Sequence, residues 1–474
     1  MAKMLMIQTQ SIPYTAVAYV NGAVKSAGHD FQLQMALDNE AGPVLEKIEE
    51  YKPDLIGFSS MTGFHNDHLA ISREIKKKYD TPIVMGGAHP TLFPDVIHEP
   101  EIDIICKGEG EYAIIDLMNA LEEKKPYNKI ENLWVKEGEN GQLYENPVRP
   151  YADPMDDIPM IDWDCFIDTP VESSSVVAFP IRGCPYKCSY CFNDSIMALY
   201  KKEGGGKYVR AFSPERAVQE IEQGLKVMKN DSVLFLSDVF GVDTDWMEDF
   251  LSLYVKKINL PYIVLLRPEL AKPKVVELLG KYNCTTIGMG VESGSERVRK
   301  EVLKRSYSNK MLIEAAKRIH SYGITLRTYN IIGLPGESED ELWETINLNA
   351  KMKVEYPRTG IFMPFPGTTI VDYSKENGFL GEDFSFENMP NSILSASILE
   401  GVDKDKIRNH LYFFQSMINY PRLQKFFKYL INNFKPNILF RFYFYLIYAN
   451  IQRKSESRSL IAYIKFIIPN IGKV

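Results

Sequence analysis

A chain of 474 residues exceeds one ordinary core, so two or three domains are expected. Its 45% hydrophobic and 25% charged content is that of a globular protein, and a net charge of −7 gives no case for nucleic-acid binding by the whole chain. Of its six cysteines, Cys106, Cys165 and Cys284 stand alone, which excludes a secreted disulfide framework and points to a reducing, cytoplasmic location. Met1–Gln10 has no basic region ahead of an apolar run and no small-residue cleavage site, so no secretory leader is expected. No uncharged apolar run reaches membrane-spanning length.

From Met1 to about residue 125, strand and helix patterns alternate. Lys3–Thr9 reads as a buried strand, Tyr14–Gly28 as a helix stopped by Gly28, and Asp30–Leu37 as the next strand. Leu55–Ser60, Pro82–Gly87 and Ile102–Gly108 are short apolar runs ending in small residues, with helical stretches such as Asn66–Asp80 between them. Five strands alternating with helices imply a doubly wound, Rossmann-like parallel sheet over residues 1–140. Such sheets bind ligands beyond the carboxyl ends of their strands. The turns Ser60–Gly63, Gly86–His89 and Gly108–Glu111 sit there.

A connector follows, with a linker at 141–172. Lys136–Pro147 reads as a hairpin, and Pro150–Trp163 is proline-rich and acidic. A second alternating series spans 173–395. Its strands are expected at Ser175–Ile181, Ser232–Ser237, Tyr262–Arg267, Thr285–Val291, Ile324–Ile332 and Gly360–Met363. Ser213 caps a helix that opens with Pro214, and Ser338 with Glu341 forms a capping box. Six βα units suggest a (β/α)6 partial TIM barrel with its site at the carboxyl-end face.

Residues 396–474 lose the alternation and read as helical, basic and aromatic. From Pro421 to Val474, ten Lys/Arg stand against Glu456 alone, about +9, while the rest of the chain is acidic. Two readings stay open. The tail is an interfacial helix pair whose cations meet anionic lipid headgroups, or a set of core helices that closes the barrel with basic ends in solvent.

Arg182–Cys191, RGCPYKCSYC, gathers Cys184, Cys188 and Cys191. Structural zinc takes four ligands, usually as two separated pairs, and no neighbouring His completes this set. A disulfide leaves one thiol over. Thiolates also hold iron–sulfur clusters. Three thiolates on a four-iron cube leave one iron without a protein ligand, open to a substrate. Gly183 and Pro185 shape a loop rather than a helix face, just after the first strand of the second series.

This Cys-x3-Cys-x2-Cys motif, with Tyr190 before the last Cys, resembles the signature of the radical S-adenosylmethionine (radical SAM) superfamily. The resemblance covers about half the chain and continues in order. It implies a [4Fe-4S] cluster on Cys184, Cys188 and Cys191, with Tyr190 beside it. Phe235–Asp243 resembles the family's second-strand turn, with Asp238 as a SAM contact; a plain capping turn is the alternative. Arg267, ending the third strand, is placed to meet the SAM carboxylate; a surface Arg is the alternative. Gly288–Ser295 resembles the fourth-strand motif, in which Glu292 and Ser293 hold ribose or the methionyl group. Asn330–Ser338 resembles the glycine turn that approaches adenine at Gly333, and Met363–Thr368 the sixth-strand end.

The first domain also resembles a family. Gly57–Phe64, Val84–Pro94 and Cys106–Glu111 are similar to the cobalamin-binding domain fused ahead of many radical SAM domains. The resemblance implies a pocket edged by Ser60, Met61, Thr62, Gly86, Gly87, His89, Gly108, Glu109 and Gly110. The Asp-x-His-x-x-Gly motif of other cobalamin domains is absent, as it generally is in the fused class, so no histidine is expected on the cobalt. His29, His65, His68 and His98 are expected as surface or capping residues, and Cys106 as a buried small residue. Lacking further cysteines, this domain does not match the methylthiotransferases.

The combined resemblance implies reductive cleavage of SAM to a 5′-deoxyadenosyl radical and methylation of an unactivated carbon with cobalamin. Ring formation or rearrangement, as in the anaerobic magnesium-protoporphyrin monomethyl ester cyclase, is the alternative. A non-catalytic cobalamin carrier is a third reading, which the intact cysteines oppose. Expected partners are a small-molecule substrate, a lipid if the tail docks on the inner face of the membrane, and a one-electron reductant such as flavodoxin or ferredoxin, with no nucleic acid.

Overall fold

Short buried apolar runs become the parallel strands of the N-terminal sheet. The computed structural model describes residues 1–455 apart from 139–140, 172, 386–388, 390–391 and 395. Strand β1 (Lys3–Gln8) pairs in parallel with β2 (Asp30–Met35) and β3 (Leu55–Ser59); β3 pairs with β4 (Ile83–Gly86), and β4 with β5 (Ile104–Cys106). Helices α1 (Thr15–Ser26), α2 (Gly42–Tyr51), α3 (His65–Lys76), the short α4 (Ala88–Leu92) and α5 (Glu111–Glu123) lie between strands. Leu5, Ile7, Ile56, Phe58, Ile83 and Met85 centre the core. Gly28, at φ 82°, takes the left-handed position after α1.

The expected hairpin is β6 (Leu133–Glu137) with β7 (Gln142–Glu145), and β6 pairs antiparallel to β5. The sheet therefore has seven strands, in the order β2-β1-β3-β4-β5-β6-β7. Buried Leu133 and Val135 alternate with part-exposed Trp134 and Lys136, the pattern of a strand with one covered face. The acidic, proline-rich stretch is packed as well: Tyr151, Ile158, Ile161 and Trp163 are buried. Lys25 on α1 pairs with Asp164 at 2.6 Å, and Asn21 donates to the Asp162 carbonyl at 3.0 Å. A Cβ on Gly22 would run into the Met160 carbonyl oxygen.

The strand expected at Ser175–Ile181 is split. Pro180 has no N–H, and the chain forms β8 (Val176–Ala178) and then β9 (Ile181–Arg182), which pairs antiparallel with β10 (Arg210–Ala211). Helix α6 (Phe192–Glu203) follows the cysteine loop. Helix α7 (Pro214–Met228) starts at Ser213, whose hydroxyl accepts the Arg216 N–H at 3.2 Å.

The chain divides into two compact units: Met1–Pro185 with Asn193–Val233, and Tyr186–Phe192 with the residues from Leu234 onward. The second carries β11 (Val233–Phe235), α8 (Thr244–Lys257), β12 (Tyr262–Leu266), α9 (Pro273–Lys281), β13 (Cys284–Glu292), α10 (Asn309–Ser321), β14 (Thr325–Ile332), α11 (Glu339–Lys351), β15 (Tyr356–Ile361) and α12 (Thr369–Glu376). These strands stand in the order β15-β14-β13-β12-β11, with β12 to β15 paired in parallel. The Ser338–Glu341 capping box is present. Strand β15 starts at Tyr356, ahead of the expected Gly360. Its Pro357 and Arg358 read as loop, yet a proline is tolerated on an edge strand.

Helices α13 (Lys404–Asn419), α14 (Gln424–Asn433) and α15 (Ile438–Ser455) close this unit around Phe413, Phe414, Met417, Phe427 and Phe444. The tail thus packs one face as core. The expectation for its last part, 456–474, lies outside the described residues.

Gly22→Ala gains about 1 kcal/mol of helix propensity and loses about 1–3 kcal/mol to a clash with backbone that cannot rotate away. The net expectation is a lowered melting temperature. Gly42→Ala, with open space around its Cβ, should melt at or slightly above the parent.

Candidate functional site

All three clustered cysteines lie in the loop between β9 and α6. Gly183 opens it at φ 86°, with the Tyr208 carbonyl where a Cβ would stand. The Cys191 N–H donates to the Cys188 carbonyl at 3.0 Å, making the last turn. Ser189 is pinned on three sides. Its N–H donates to Leu303 O at 3.2 Å, its hydroxyl to Val302 O at 2.5 Å, and its carbonyl accepts the Ile370 N–H at 2.9 Å. Cys184 and Cys188 are buried, Cys191 is half-buried, and none is in a disulfide.

Arg267 Nη1 donates to Cys188 Sγ at 3.1 Å. Among the described residues no three His, Cys, Asp or Glu converge on a single ion. Each thiolate of a cube binds a different iron, so its ligands need not converge. Three thiolates suit a four-iron cluster with one open iron better than structural zinc, which takes four ligands.

Arg267 follows β12, lies 3.7 Å from the Tyr186 ring centre and pairs with Glu269 at 2.7 Å. Glu292 ends β13 at φ 63°, beside a register shift against β14. That conformation is uncommon for a residue with a Cβ and marks sites where function constrains the backbone. Arg305 Nη1 donates to Glu292 Oε1 at 2.6 Å and to the Tyr190 hydroxyl at 2.7 Å. One buried guanidinium therefore joins the cysteine motif to the fourth-strand motif.

Several buried polar atoms here have no partner among the described residues: Ser237 Oγ, Arg267 Nε, Glu269 Oε2 and Arg305 Nε. Each such atom costs free energy until something hydrogen-bonds to it. Unsatisfied groups of both charges at the strand ends fit a zwitterionic ligand such as SAM.

The other expected SAM contacts are placed as follows. Asp238 is exposed in the turn after β11. Ser293 is fully buried, and its hydroxyl accepts the Ser295 N–H at 3.2 Å. Gly333, at φ 69°, has Ile407 3.0 Å from where its Cβ would be. Its N–H donates to Glu337 Oε2 at 2.8 Å, and Leu334 donates to the same oxygen at 3.3 Å. Desolvation pushes the Glu337 carboxyl up to about 8. Arg305 was not foreseen, since it lies in a polar run with no motif around it. Glu337 ends a glycine turn, a position from which a carboxylate reaches back to the turn's N–H groups.

In the first unit, the strand ends are knitted by histidines. His68 meets Ser60 Oγ at 2.5 Å through Nδ1 and Thr9 Oγ1 at 3.2 Å through Nε2. The His65 and His89 rings stack at 3.8 Å, and His89 Nδ1 meets Thr62 Oγ1 at 3.2 Å. His29, His65 and His68 are buried, which corrects their assignment as surface or capping residues; His98 is exposed. The reason lies in α3, where His65, His68, Leu69, Ser72 and Ile75 share the inward face. His29 accepts the Ala2 N–H at 3.3 Å. Burial lowers His68 to about 4 and His89 to about 3, so both are neutral near pH 7.

The glycines of this face have internal reasons to lack side chains. A Cβ on Gly87 would lie 2.7 Å from Ser60 O, on Gly110 3.3 Å from Cys106 Sγ, and on Gly108 it would overlap the Tyr200 hydroxyl. Gly86 has only ordinary contacts. Glu109 pairs with Arg182 at 3.3 Å and with Arg210. Cys106 is a packed thiol, pushed up to about 12 by burial. Open ground remains at the 61–64 loop, where Met61 and Phe64 are exposed. Neutral imidazoles beneath an apolar exposed loop suit a large, weakly charged ligand such as a corrin.

Comparison with known proteins agrees with this geometry. The radical SAM superfamily model matches residues 179–348, and the B12 binding domain model matches residues 9–118. The chain thus carries a B12-binding domain ahead of a radical SAM domain. An uncharacterized methyltransferase of Pyrococcus horikoshii is 27% identical over 383 residues, 78% of this chain and 80% of that protein. The anaerobic magnesium-protoporphyrin IX monomethyl ester cyclase of Rubrivivax gelatinosus is 24% identical over 397 residues, 79% of this chain and 68% of that one. Among solved structures, the radical SAM methyltransferase TsrM of Kitasatospora setae, with cobalamin and a [4Fe-4S] cluster bound, superposes with a TM-score of 0.65 at 16% identity, over 79% of this chain and 75% of that one. At that identity the likeness shows the fold.

Two outcomes are expected. Hydrogen bonds to cluster sulfurs stabilise the reduced form. Arg267→Met should therefore lower the midpoint potential of the reconstituted cluster in an EPR-monitored redox titration, with Arg267→Lys in between. For His68, the folded value of about 4 lies below the ordinary 6.5. The unfolded chain then takes up its proton first, so stability is complete above about 6.5 and falls as pH drops toward 4. His68→Gln should flatten that part of the melting-temperature profile.

Proposed function

We propose that this chain is a cobalamin-dependent radical SAM enzyme that methylates an unactivated carbon. The observation that carries the reading is the Tyr190–Arg305–Glu292 link, which ties the three-cysteine loop to a strand end lined with unsatisfied polar groups. When bound, the cluster and SAM supply a 5′-deoxyadenosyl radical by reductive carbon–sulfur cleavage, and cobalamin supplies the methyl group.

The chain's own residues position and exclude. Cys184, Cys188 and Cys191 would hold the cluster. Arg267 donates to the Cys188 sulfur and keeps Nε for the ligand. Arg305 fixes the Glu292 carboxylate and the Tyr190 ring while balancing charge in a dry setting. In the first domain, Ser60 and Thr62 hold His68 and His89, and Met61 and Phe64 present apolar surface to cobalamin. A flavodoxin or ferredoxin supplies the electron.

Methyl transfer is supported by the Pyrococcus relative and by the fold of TsrM. Ring formation from the same radical start is a second reading, supported by the cyclase relative. Anaerobic turnover with SAM labelled in its methyl group, dithionite and cobalamin tests both. A methyltransferase yields 5′-deoxyadenosine and a product carrying the label; a cyclase yields 5′-deoxyadenosine and a product that has lost hydrogen. Cys188→Ala should abolish 5′-deoxyadenosine formation, and a parent protein that makes none would reduce the chain to a cobalamin carrier.

A further inference from the structure

Among the described residues, the C-terminal helices carry apolar side chains on two faces, of which one is packed as core. On α14, Phe427 and Ile431 are buried against α13, while Phe426 and Tyr429 are 55% and 59% exposed, one turn beyond Leu423 at 47%. On α15, Phe444 and Ile451 are buried, while Leu439, Phe442 and Leu446 are 74%, 63% and 54% exposed. Spacings of three and four residues place each exposed set on one side of its helix. The Phe434 ring lies 6.2 Å from that of Tyr429 and 6.4 Å from that of Phe440, so it bridges the two helices. Exposed apolar surface of this kind is rare unless something covers it.

Charge identifies what covers it. Between Pro421 and Ile451 there are five Lys/Arg and no Asp or Glu. All five are exposed; Lys428 lies over the Trp343 ring and Arg441 over that of Tyr445, which leaves Arg422, Lys425 and Lys435 as the cations not placed over a ring among the described residues. Two copies of such a face would bring like charges together, which disfavours self-association. Apolar stripes flanked by cations are complementary to a surface with an apolar interior and anionic headgroups. No helix of the described residues is long and apolar enough to cross a membrane, so the contact lies in the plane of the bilayer.

We propose that the outer face of α14 and α15 docks this protein onto an anionic lipid bilayer. Leu439, Phe442, Leu446 and Phe426 enter the headgroup–acyl boundary, and Arg422, Lys425 and Lys435 meet phosphates. The docking stands independently of the chemistry proposed above.

Flotation of the full chain with phosphatidylcholine vesicles, with and without phosphatidylglycerol, at low and high salt, tests it. The chain should float with the anionic vesicles, less so at high salt. Phe426→Glu with Phe442→Glu should lower the bound fraction about tenfold or more. Both side chains already face solvent, so the melting temperature should hold. Should it fall, Lys425→Glu with Lys435→Glu decides, since it alters only exposed cations and should remove the preference for phosphatidylglycerol. Absence of flotation on anionic vesicles overturns the proposal. So does undiminished binding of both variants, or a dimer that the first variant splits while neither protein floats.

Discussion

The second unit depends on one buried guanidinium. Arg305 holds Glu292 and the Tyr190 hydroxyl with the same nitrogen, out of water. Burying an ion pair gains little by itself, and stripping one partner costs about 3–5 kcal/mol because the other charge is stranded. Its worth is geometric. It fixes where the cysteine loop ends relative to the carboxyl end of β13, at a point where the Glu292 backbone is already in a sparsely populated conformation. Ser189, fastened to Val302 and Leu303, secures the same loop from its other side. The loop is therefore set by the barrel before any ligand arrives, which is what preorganised chemistry requires.

The two sheets use the same architectural rule with opposite electrostatics. Each gathers its functional side chains at the carboxyl ends of parallel strands. In the first unit those ends hold neutral imidazoles with hydroxyl partners, their protons driven off by burial. In the second they hold guanidinium and carboxylate groups with unmet hydrogen-bonding capacity. The first arrangement suits a broad, weakly charged ligand and the second a compact zwitterion, in line with the division between a B12-binding and a radical SAM domain.

What was legible in the sequence followed short-range rules. Strands β1, β3 to β5, β11 and β12 were plain because apolar residues ran together between turn residues, β2 and β13 because apolar residues alternated, and the Ser338–Glu341 box because capping is local. The cysteine loop was legible because its spacing is chemistry in itself. What escaped depends on tertiary placement. Strand β15 is masked by Pro357, which an edge position tolerates. The histidines of the first unit looked like surface residues because imidazole is polar; the burial of His68 is met by hydroxyl partners just beyond two strand ends, Thr9 and Ser60. Arg305 has no local signal, since both of its partners are distant in the chain.

The crowding around β13 restricts how this sequence can drift. A methyl group on residue 290 would collide with the Glu292 carboxylate and come within 3.2 Å of Arg305. Glycine at 290 is thus a condition for the glutamate at 292, and the glutamate for keeping the arginine at 305 neutralised. Substitution at any one of the three should therefore disturb the other two, and tolerated changes are expected on the surface around them rather than within the group.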